Sequence, residues 1–542
     1  MKRTPVLLAA GLPLIAAAVF LPTASAETVA AGSAPLNCSA VSVKPPAGTE
    51  VEHVTAVRQA GGTVEVESGP LAGSVTDVPA YCEVTLTLTH PGAGDHAKVR
   101  VWLPATGWNG RFQALGGSAY AAGDNGLGLA GAVKQGYAAA TTDAGVGDLL
   151  DTTWALDGKG RINTPLLKNF AERSQHDAAV VAKQVVAEVY GRAASYAYFN
   201  GCSTGGREGY MEAQRHPDDF DGILAGAPAI NWDEFEVATL WPQVVMNEER
   251  AYPTSCEFKA VNEAVLKACD TLDGAKDGLV ADVSRCAYDP RELIGTKTVC
   301  DGEEGVFTAA DAAVVRKIWD GPRTTAGGRL WYGLPVGADF EPLAASAPDD
   351  GNVKGTPFSV PAAWVATFVK KQPSFDTSTL TSGQFTRLFR QSQAEFGSVI
   401  GSDDPDLSGF RDSGGKLLTW HGQADQLIPT QGTVDYRERV ERQMGGSHRV
   451  DDFYRLFLAP GTAHCGLSGR TDDLGALRAW VEQGRAPGTL TAALTDASGG
   501  TVTRELCRYP LVSRYAGDGA PATAEAFDCV RAARSEPRGS AF

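Results

Sequence analysis

Residues Asn200–Gly209 read NGCSTGGREG, and this stretch decides the fold. At its centre Gly201-Cys202-Ser203-Thr204-Gly205 forms a G-x-S-x-G pattern. Just before it stands the short run Tyr196-Ala197-Tyr198-Phe199, which predicts a strand. Just after it, Glu208 to Arg215 suits a helix that stops at His216-Pro217, because the residue before a proline disfavours helical backbone. Strand, sharp turn and helix together describe a nucleophile elbow, in which a reactive serine sits on a strained turn that only small neighbours allow. Gly201, Gly205 and Gly206 supply that room. The competing reading, a plain glycine-rich turn, leaves both flanking elements without a purpose.

The pattern extends outward from the elbow. From Ala80 to Leu103 the chain alternates, as in Val84-Thr85-Leu86-Thr87-Leu88 and Val99-Arg100-Val101-Trp102-Leu103, which predicts antiparallel strands. Short apolar strands follow at Phe112 to Leu115, Tyr137 to Thr141, Ala197 to Phe199, Gly222 to Ala225, Leu417 to Trp420 and Tyr454 to Leu458. They alternate with helical stretches such as Ala171 to Tyr190. This rhythm predicts an α/β fold, a mostly parallel sheet with helices on both faces. Between about Ile230 and Asp404 the rhythm lapses, which marks a large insertion over the active-site edge, a lid by position. The chain therefore divides into 1–26, 27–229 as the first part of the sheet domain, 230–404 as the lid, and 405–542 as the second part.

The first of these segments reads as a signal peptide. Lys2 and Arg3 precede an apolar run from Val6 to Leu21, and Ala24-Ser25-Ala26 gives a small-residue cleavage site. Loss of Lys2 and Arg3 lowers a formal charge of −16 to −18, which argues against nucleic acid or an anionic membrane as partner. Ten cysteines without a C-x-x-C pair, in an exported chain, predict disulfides rather than zinc or redox chemistry.

A serine nucleophile needs a base and an acid that holds the base, and in α/β-hydrolases these follow in the order Ser, Asp, His at strand ends. After Ser203, the strand Lys416-Leu417-Leu418-Thr419-Trp420 leads into His421-Gly422-Gln423-Ala424-Asp425, so Asp425 is the acid. Tyr454-Arg455-Leu456-Phe457-Leu458 leads into Ala459-Pro460-Gly461-Thr462-Ala463-His464-Cys465, so His464 is the base. The rival base His421 precedes the acid on its own strand end, and suits a structural hydrogen bond better; the rival acid Asp435 falls in an expected helix. An oxyanion hole needs two backbone N–H donors. Thr204, after the nucleophile, supplies one, and Gly117 in the loop Gly116-Gly117-Ser118-Ala119 is the candidate for the other. Cys202 and Cys465 stand beside the nucleophile and the base. If bonded, they clamp Ser203 and His464 together, and the long loop they close is worth about 5 kcal/mol in the chain-entropy model.

The arrangement Cys202-Ser203, Asp425, His464-Cys465 resembles the CS-D-HC motif of the tannase and feruloyl esterase family, which includes bacterial mono(2-hydroxyethyl) terephthalate hydrolase. The likeness runs from Cys38 to Cys529. It implies an α/β-hydrolase fold with an inserted lid, and a serine esterase acting on aromatic carboxylic esters. The stretch Asp270-Thr271-Leu272-Asp273-Gly274-Ala275-Lys276-Asp277-Gly278-Leu279 spaces three carboxylates around glycines. By itself it suits either Ca²⁺ or a solvated acidic turn. The resemblance implies structural calcium in the lid, held by the side chains of Asp270, Asp273 and Asp277 and the carbonyls of Ala275 and Leu279. It also implies bonds between Cys269 and Cys286, Cys38 and Cys82, and Cys507 and Cys529, which leaves Cys256 with Cys300. The expected protein is secreted, takes small aromatic esters, free or attached to plant polysaccharide or tannin, and has no nucleic-acid or membrane partner. Lid aromatics such as Trp331, Tyr332, Trp364, Phe368, Phe385, Phe389 and Phe396 are available to stack on a ring, although for any single one a place in the core is the better reading. Two other functions share parts of this pattern: an α/β-hydrolase peptidase with the same triad, and a calcium-dependent binding protein without catalysis.

Overall fold

Among the described residues, nine strands form one large sheet, and those with apolar residues on both faces lie towards its centre. In chain order they are β1 Glu50–Gln59, β2 Tyr81–Thr89, β3 Ala97–Pro104, β4 Arg111–Leu115, β5 Ala138–Thr142, β6 Tyr196–Cys202, β7 Gly222–Gly226, β8 Lys416–Gly422 and β9 Tyr454–Ala459. Across the sheet they lie in the order β1-β2-β3-β5-β4-β6-β7-β8-β9. The first pairings, through β3 with β5, are antiparallel. From β5 to β9 every pairing is parallel. The computed structural model describes residues 36–531 apart from 40, 68–70, 301–302 and 351; the expected signal peptide, 1–26, lies outside the described residues.

Five helices cover the sheet: α1 Leu127–Lys134, α2 Ser174–Tyr190, α3 Thr204–Arg215, α4 Thr430–Met444 and α5 Asp473–Gln483. Buried side chains of α2, α3 and α4, including Val181, Val185, Tyr210, Val434 and Val440, share one core with β2 and β3 residues such as Val84, Leu86, Val99 and Val101. Leu129 and Val133 of α1 and Leu477 and Trp480 of α5 belong to the core on the opposite face. The sheet is thus sandwiched, as parallel strands with two buried faces require.

The chain leaves the sheet after Gly226 and returns at Lys416, so the excursion is slightly longer than the expected 230–404. The region is more regular than its sequence rhythm suggested. Helices at Ser255–Cys269, Ala309–Asp320 and Ser382–Ile400 each begin with a threonine capping box: Thr254 with Glu257, Thr308 with Asp311, and Thr381 with Gln384. In each, the threonine hydroxyl accepts an N–H three residues on while the acidic or amide side chain reaches back.

The inserted residues do not close a core of their own. Trp232, Trp364, Phe368 and Phe396 pack in one cluster with Tyr120, Trp154 and Phe170 from the loops that leave β4 and β5. The Tyr120 and Phe368 rings stack 5.8 Å apart at 9°, and the Tyr120 hydroxyl donates to the Val360 carbonyl at 2.8 Å. Of the lid aromatics, Trp364, Phe368, Phe385, Phe389 and Phe396 are core residues, while Trp331 and Tyr332 keep part of their surface exposed.

The last segment holds more than the closing strands. After α5, two antiparallel hairpins, Thr489–Thr495 with Thr501–Cys507 and Leu511–Tyr515 with Phe527–Arg531, stand outside the main sheet. Leu490, Ala492, Leu494, Val502 and Leu506 alternate inward and join the core under α1 and α5. Disulfides join Cys38 to Cys82, Cys202 to Cys465, Cys269 to Cys286 and Cys507 to Cys529. The expected pairing of Cys256 with Cys300 falls on the Cys300 side chain, which is not among the described side chains.

Candidate active site

Ser203 stands between β6 and α3 with φ 64° and ψ −123°. A non-glycine residue with positive φ is uncommon and costly, so surrounding structure must hold it there. Its N–H donates to the Gly226 carbonyl at 3.0 Å, and its carbonyl accepts from the N–H groups of Arg207 and Ala229, each at 3.0 Å. Steric closeness fixes the composition of the turn. A Cβ on Gly201 would lie 2.5 Å from the Gly205 carbonyl carbon, and one on Gly116 would lie 2.5 Å from the Gly205 Cα.

Asp425 follows β8 and is fully buried. Its Oδ2 accepts from His464 Nδ1 at 2.8 Å and from His421 Nε2 at 3.0 Å. Its Oδ1 accepts the N–H groups of Leu427 at 2.9 Å and Ile428 at 2.8 Å. Burial alone would push this carboxyl up. The charge of His464 and the hydrogen bonds from the two histidines outweigh it, and hold the group well below the usual carboxylate range. His421 faces Thr433 Oγ1 at 2.9 Å through its other ring nitrogen and is fully buried, which suits the structural part expected of it. Asp435 lies on α4 and pairs with Arg439 at 3.2 Å, away from both histidines' shared carboxylate.

His464 follows β9, and its backbone N–H donates to Gln426 Oε1 at 2.9 Å. The Cys202–Cys465 bond brings the next backbone position to a Cα separation of 6.0 Å from the residue before Ser203. Cys465 itself has φ 53°, so the chain turns sharply straight after the histidine. Ser203, Asp425 and His464 thus sit after the carboxyl ends of β6, β8 and β9, on one edge of the parallel part of the sheet, and the disulfide ties the first of these loops to the last.

The oxyanion loop differs from expectation. Gly117 gives its N–H to Glu208 Oε2 at 2.9 Å, so it is not the free donor the sequence suggested. The reason is steric: Gly116 packs on Gly205, which turns the next amide towards α3 and the carboxylate one turn into that helix. Thr204 opens α3, where helical geometry leaves the N–H without an intrahelical acceptor, and its hydroxyl donates to the Ala119 carbonyl at 2.7 Å. Glu208 is fully buried. Its Oε1 has no hydrogen-bond partner, and the Arg207 guanidinium stands 3.7 Å away. Burial pushes this carboxyl up to about 7, against the pull of Arg207 and of the Gly117 N–H. No sequence motif flags Glu208, because a lone glutamate on a helix reads as solvated.

The acidic stretch after Cys269 is a folded loop. Asp270 Oδ1 accepts from the N–H groups of Asp277 at 3.0 Å and Gly278 at 3.2 Å, and Asp273 Oδ1 from that of Ala275 at 3.0 Å. Asp277 Oδ1 accepts from Leu279 N–H at 3.1 Å, and Arg504 of the C-terminal hairpin donates to its Oδ2. Asp273 Oδ2 is buried with no hydrogen-bond partner. Burial pushes Asp277 up to about 6; Arg504 opposes the shift and Asp273 adds to it. An all-oxygen donor set with an orphaned buried oxygen fits a hard cation such as Ca²⁺. A cavity of about 640 Å³ lies between this loop, at Gly278 and Leu279, and Gln423 and Ala424 beside the acid.

A sheet of this order, with a serine elbow after β6, an aspartate after β8 and a histidine after β9, defines an α/β-hydrolase. The family model described as tannase and feruloyl esterase matches residues 82–530. The chain belongs to that family, and it is a carboxylic ester hydrolase. A probable feruloyl esterase of Arthroderma benhamiae is 46% identical over 98% of this chain and 99% of its own length. The mono(2-hydroxyethyl) terephthalate hydrolase of Piscinibacter sakaiensis is 32% identical, covering 86% of this chain and 87% of its own. Among solved structures, the tannin acyl hydrolase from Aspergillus niger matches with a TM-score of 0.81 at 27% identity, covering 90% of this chain and 93% of its own.

Proposed function

We propose that the protein is an exported serine esterase that hydrolyses esters of aromatic carboxylic acids, phenolic or benzoic in type, such as feruloyl or galloyl esters. The observation that carries the mechanism is the Asp425–His464 hydrogen bond of 2.8 Å on a loop joined by disulfide to the elbow of Ser203. With Nδ1 held by Asp425, His464 presents Nε2 as the base that takes the Ser203 proton. Ser203 Oγ then attacks the ester carbonyl, and the Thr204 N–H faces the developing oxyanion. His464 returns the proton to the leaving alcohol, an acyl-enzyme remains, and water activated by the same histidine releases the acid. Asp425, kept anionic by its partners, stabilises the imidazolium in both halves of the cycle.

The aromatic acyl group is supported by the relatives, whose names specify feruloyl, tannin acyl and terephthalate esters. Export is supported by the leader-like segment 1–26 and by the disulfides. Asp270, Asp273 and Asp277, with the carbonyls of Ala275 and Leu279, would hold a structural Ca²⁺. An ion bound there would offset the charge of the clustered carboxylates, apart from the proposed chemistry at Ser203. The direct test is hydrolysis of a panel of methyl ferulate, methyl gallate, methyl hydroxybenzoate, a terephthalate half-ester and matched aliphatic and peptide substrates. The reading requires turnover of at least one aromatic ester well above the aliphatic and peptide controls. Preference for the peptides would overturn it.

A further inference from the structure

The helix that begins at Ser203 ends in a second group of chemistry-bearing side chains, on the side of the sheet covered by α2 and α3. His216 closes α3, Asp219 lies in the turn before β7, and His176 sits in the first turn of α2. One donor atom from each of the three lies within 4.8 Å of the others. His176 Nδ1 is 2.5 Å from Asp219 Oδ2, and the two imidazole rings lie 4.0 Å apart, near parallel at 13°.

Two further observations point to a missing partner. Glu212, one helical turn before His216 and therefore on the same face, is fully buried, and neither carboxylate oxygen has a hydrogen-bond partner. Its carboxylate faces that of Asp219. Two ionised carboxylates contain no donor between them, so the pair needs a proton, a cation or another donor supplied from outside it. His216 Nε2 is likewise buried without a partner. A cation already present, Lys183, stands 3.5 Å from Asp219 Oδ1 and donates to the Asp219 carbonyl. Its ammonium leaves Glu212 and His216 unsatisfied.

We propose that His176, His216 and Asp219, with Glu212 to complete the set, form a binding site for a divalent transition metal of the zinc class. Two imidazole nitrogens and one carboxylate oxygen are three of the four donors that Zn²⁺ takes in tetrahedral sites, and the unpartnered Glu212 is the carboxylate that would complete the set. Imidazole ligands select against Ca²⁺ and Mg²⁺ and towards Zn²⁺, Cu²⁺ or Ni²⁺. Binding tilts the stacked rings so that their lone pairs converge, and draws Asp219 from Lys183. The site is separate from the acidic loop after Cys269 and from Asp425 and His464. Because the His176 side chain is 29% exposed, an ion has a way in. Its donors come from α2, from α3 and from the turn before β7, so the metal crosslinks the far end of the nucleophile-bearing helix to its neighbours and acts on stability.

The test uses the full mature protein, stripped of transition metals by chelation and then held in excess Ca²⁺. Titration with Zn²⁺ by calorimetry, and with Co²⁺ followed by its visible absorption, should show one tight equivalent with a tetrahedral cobalt spectrum and a rise in Tm. His176→Gln and His216→Gln should each weaken Zn²⁺ binding by about ten- to a hundredfold or more, with the cobalt spectrum lost and ester hydrolysis unchanged. If His216→Gln fails to fold, the partly exposed His176 carries the test alone, with Glu212→Gln as its buried companion. A wild-type protein that takes up no Zn²⁺, or uptake with unaltered affinity in His176→Gln, would overturn the proposal.

Discussion

Two carboxylates are buried on either side of the nucleophile, and they end in opposite states. Asp425 and Glu208 are both sealed from solvent. Asp425 accepts two imidazole and two backbone N–H groups, and its carboxyl is held low. Glu208 accepts one N–H, from Gly117, and its carboxyl rises to about 7. Burial is the same in both, so the partners decide the charge. In the proposed mechanism the side that stabilises an imidazolium is supplied with donors; the side that holds a loop against a helix is not.

The largest effect should come from the reacting groups. Ser203→Ala or His464→Ala should lower kcat by about a millionfold, with KM little changed. Asp425→Asn removes the charge and keeps the shape, and should cost about ten-thousandfold. Its far-UV spectrum should match the wild type. If Asp425→Asn keeps full activity, the contrast drawn between the two carboxylates has no catalytic meaning.

Changing Cys202 and Cys465 together to Ala should cost about a hundredfold in rate, since misplacement of a reacting group by about 1 Å has that effect. The fold should survive on its other disulfides and its core. Non-reducing peptide mapping checks the pairing itself. For the proposed calcium site the expected effect is on stability alone: at Ca²⁺ 100 times above Kd a bound ion contributes about 2.7 kcal/mol, so chelation should lower Tm by several degrees and added Ca²⁺ should restore it. Asp273→Ala should abolish that response.

The smallest effect sharpens the comparison most. A carboxyl whose pKa is raised in the folded state binds its proton more tightly there, so its contribution to stability is present at low pH and is lost as pH rises towards about 7. Asp425, shifted down, acts in the opposite sense and loses its contribution only as pH falls through its folded pKa. Denaturant titrations between pH 5 and pH 8 should show Glu208→Gln losing less stability with rising pH than the wild type does. Asp233, also pushed up by burial, to about 8, adds its own slope to both proteins. Identical slopes would remove the distinction.

Much of this was legible in the sequence where local pattern and fold agree. The strands from Arg111 to Ala459 announce themselves as short apolar runs before turns, and the α/β-hydrolase order of serine, aspartate and histidine at strand ends points to Ser203, Asp425 and His464. Other features depended on contacts that no local pattern encodes. The edge strand Glu50–Gln59 is mostly solvent-facing with charged residues, so its alternation is weak. The second oxyanion donor was misassigned because the direction of the Gly117 amide depends on Gly205 and Glu208, distant in sequence. The lid helices carried readable threonine capping boxes, but their apolar residues serve a core shared with Tyr120, Trp154 and Phe170, and this obscured the rhythm. Arg504 against Asp277 links residues far apart in the chain, and nothing short of the fold reveals it.

The central claim is that Ser203, activated by His464, is the atom that carries the acyl group. Reaction of the purified protein with a fluorophosphonate probe, followed by peptide mass spectrometry, measures this directly. The account predicts a single label on the peptide holding Cys202 and Ser203, located on Ser203, with loss of ester hydrolysis in proportion to labelling and no label in His464→Ala. A label on another residue, or continued hydrolysis by fully labelled protein, would contradict it.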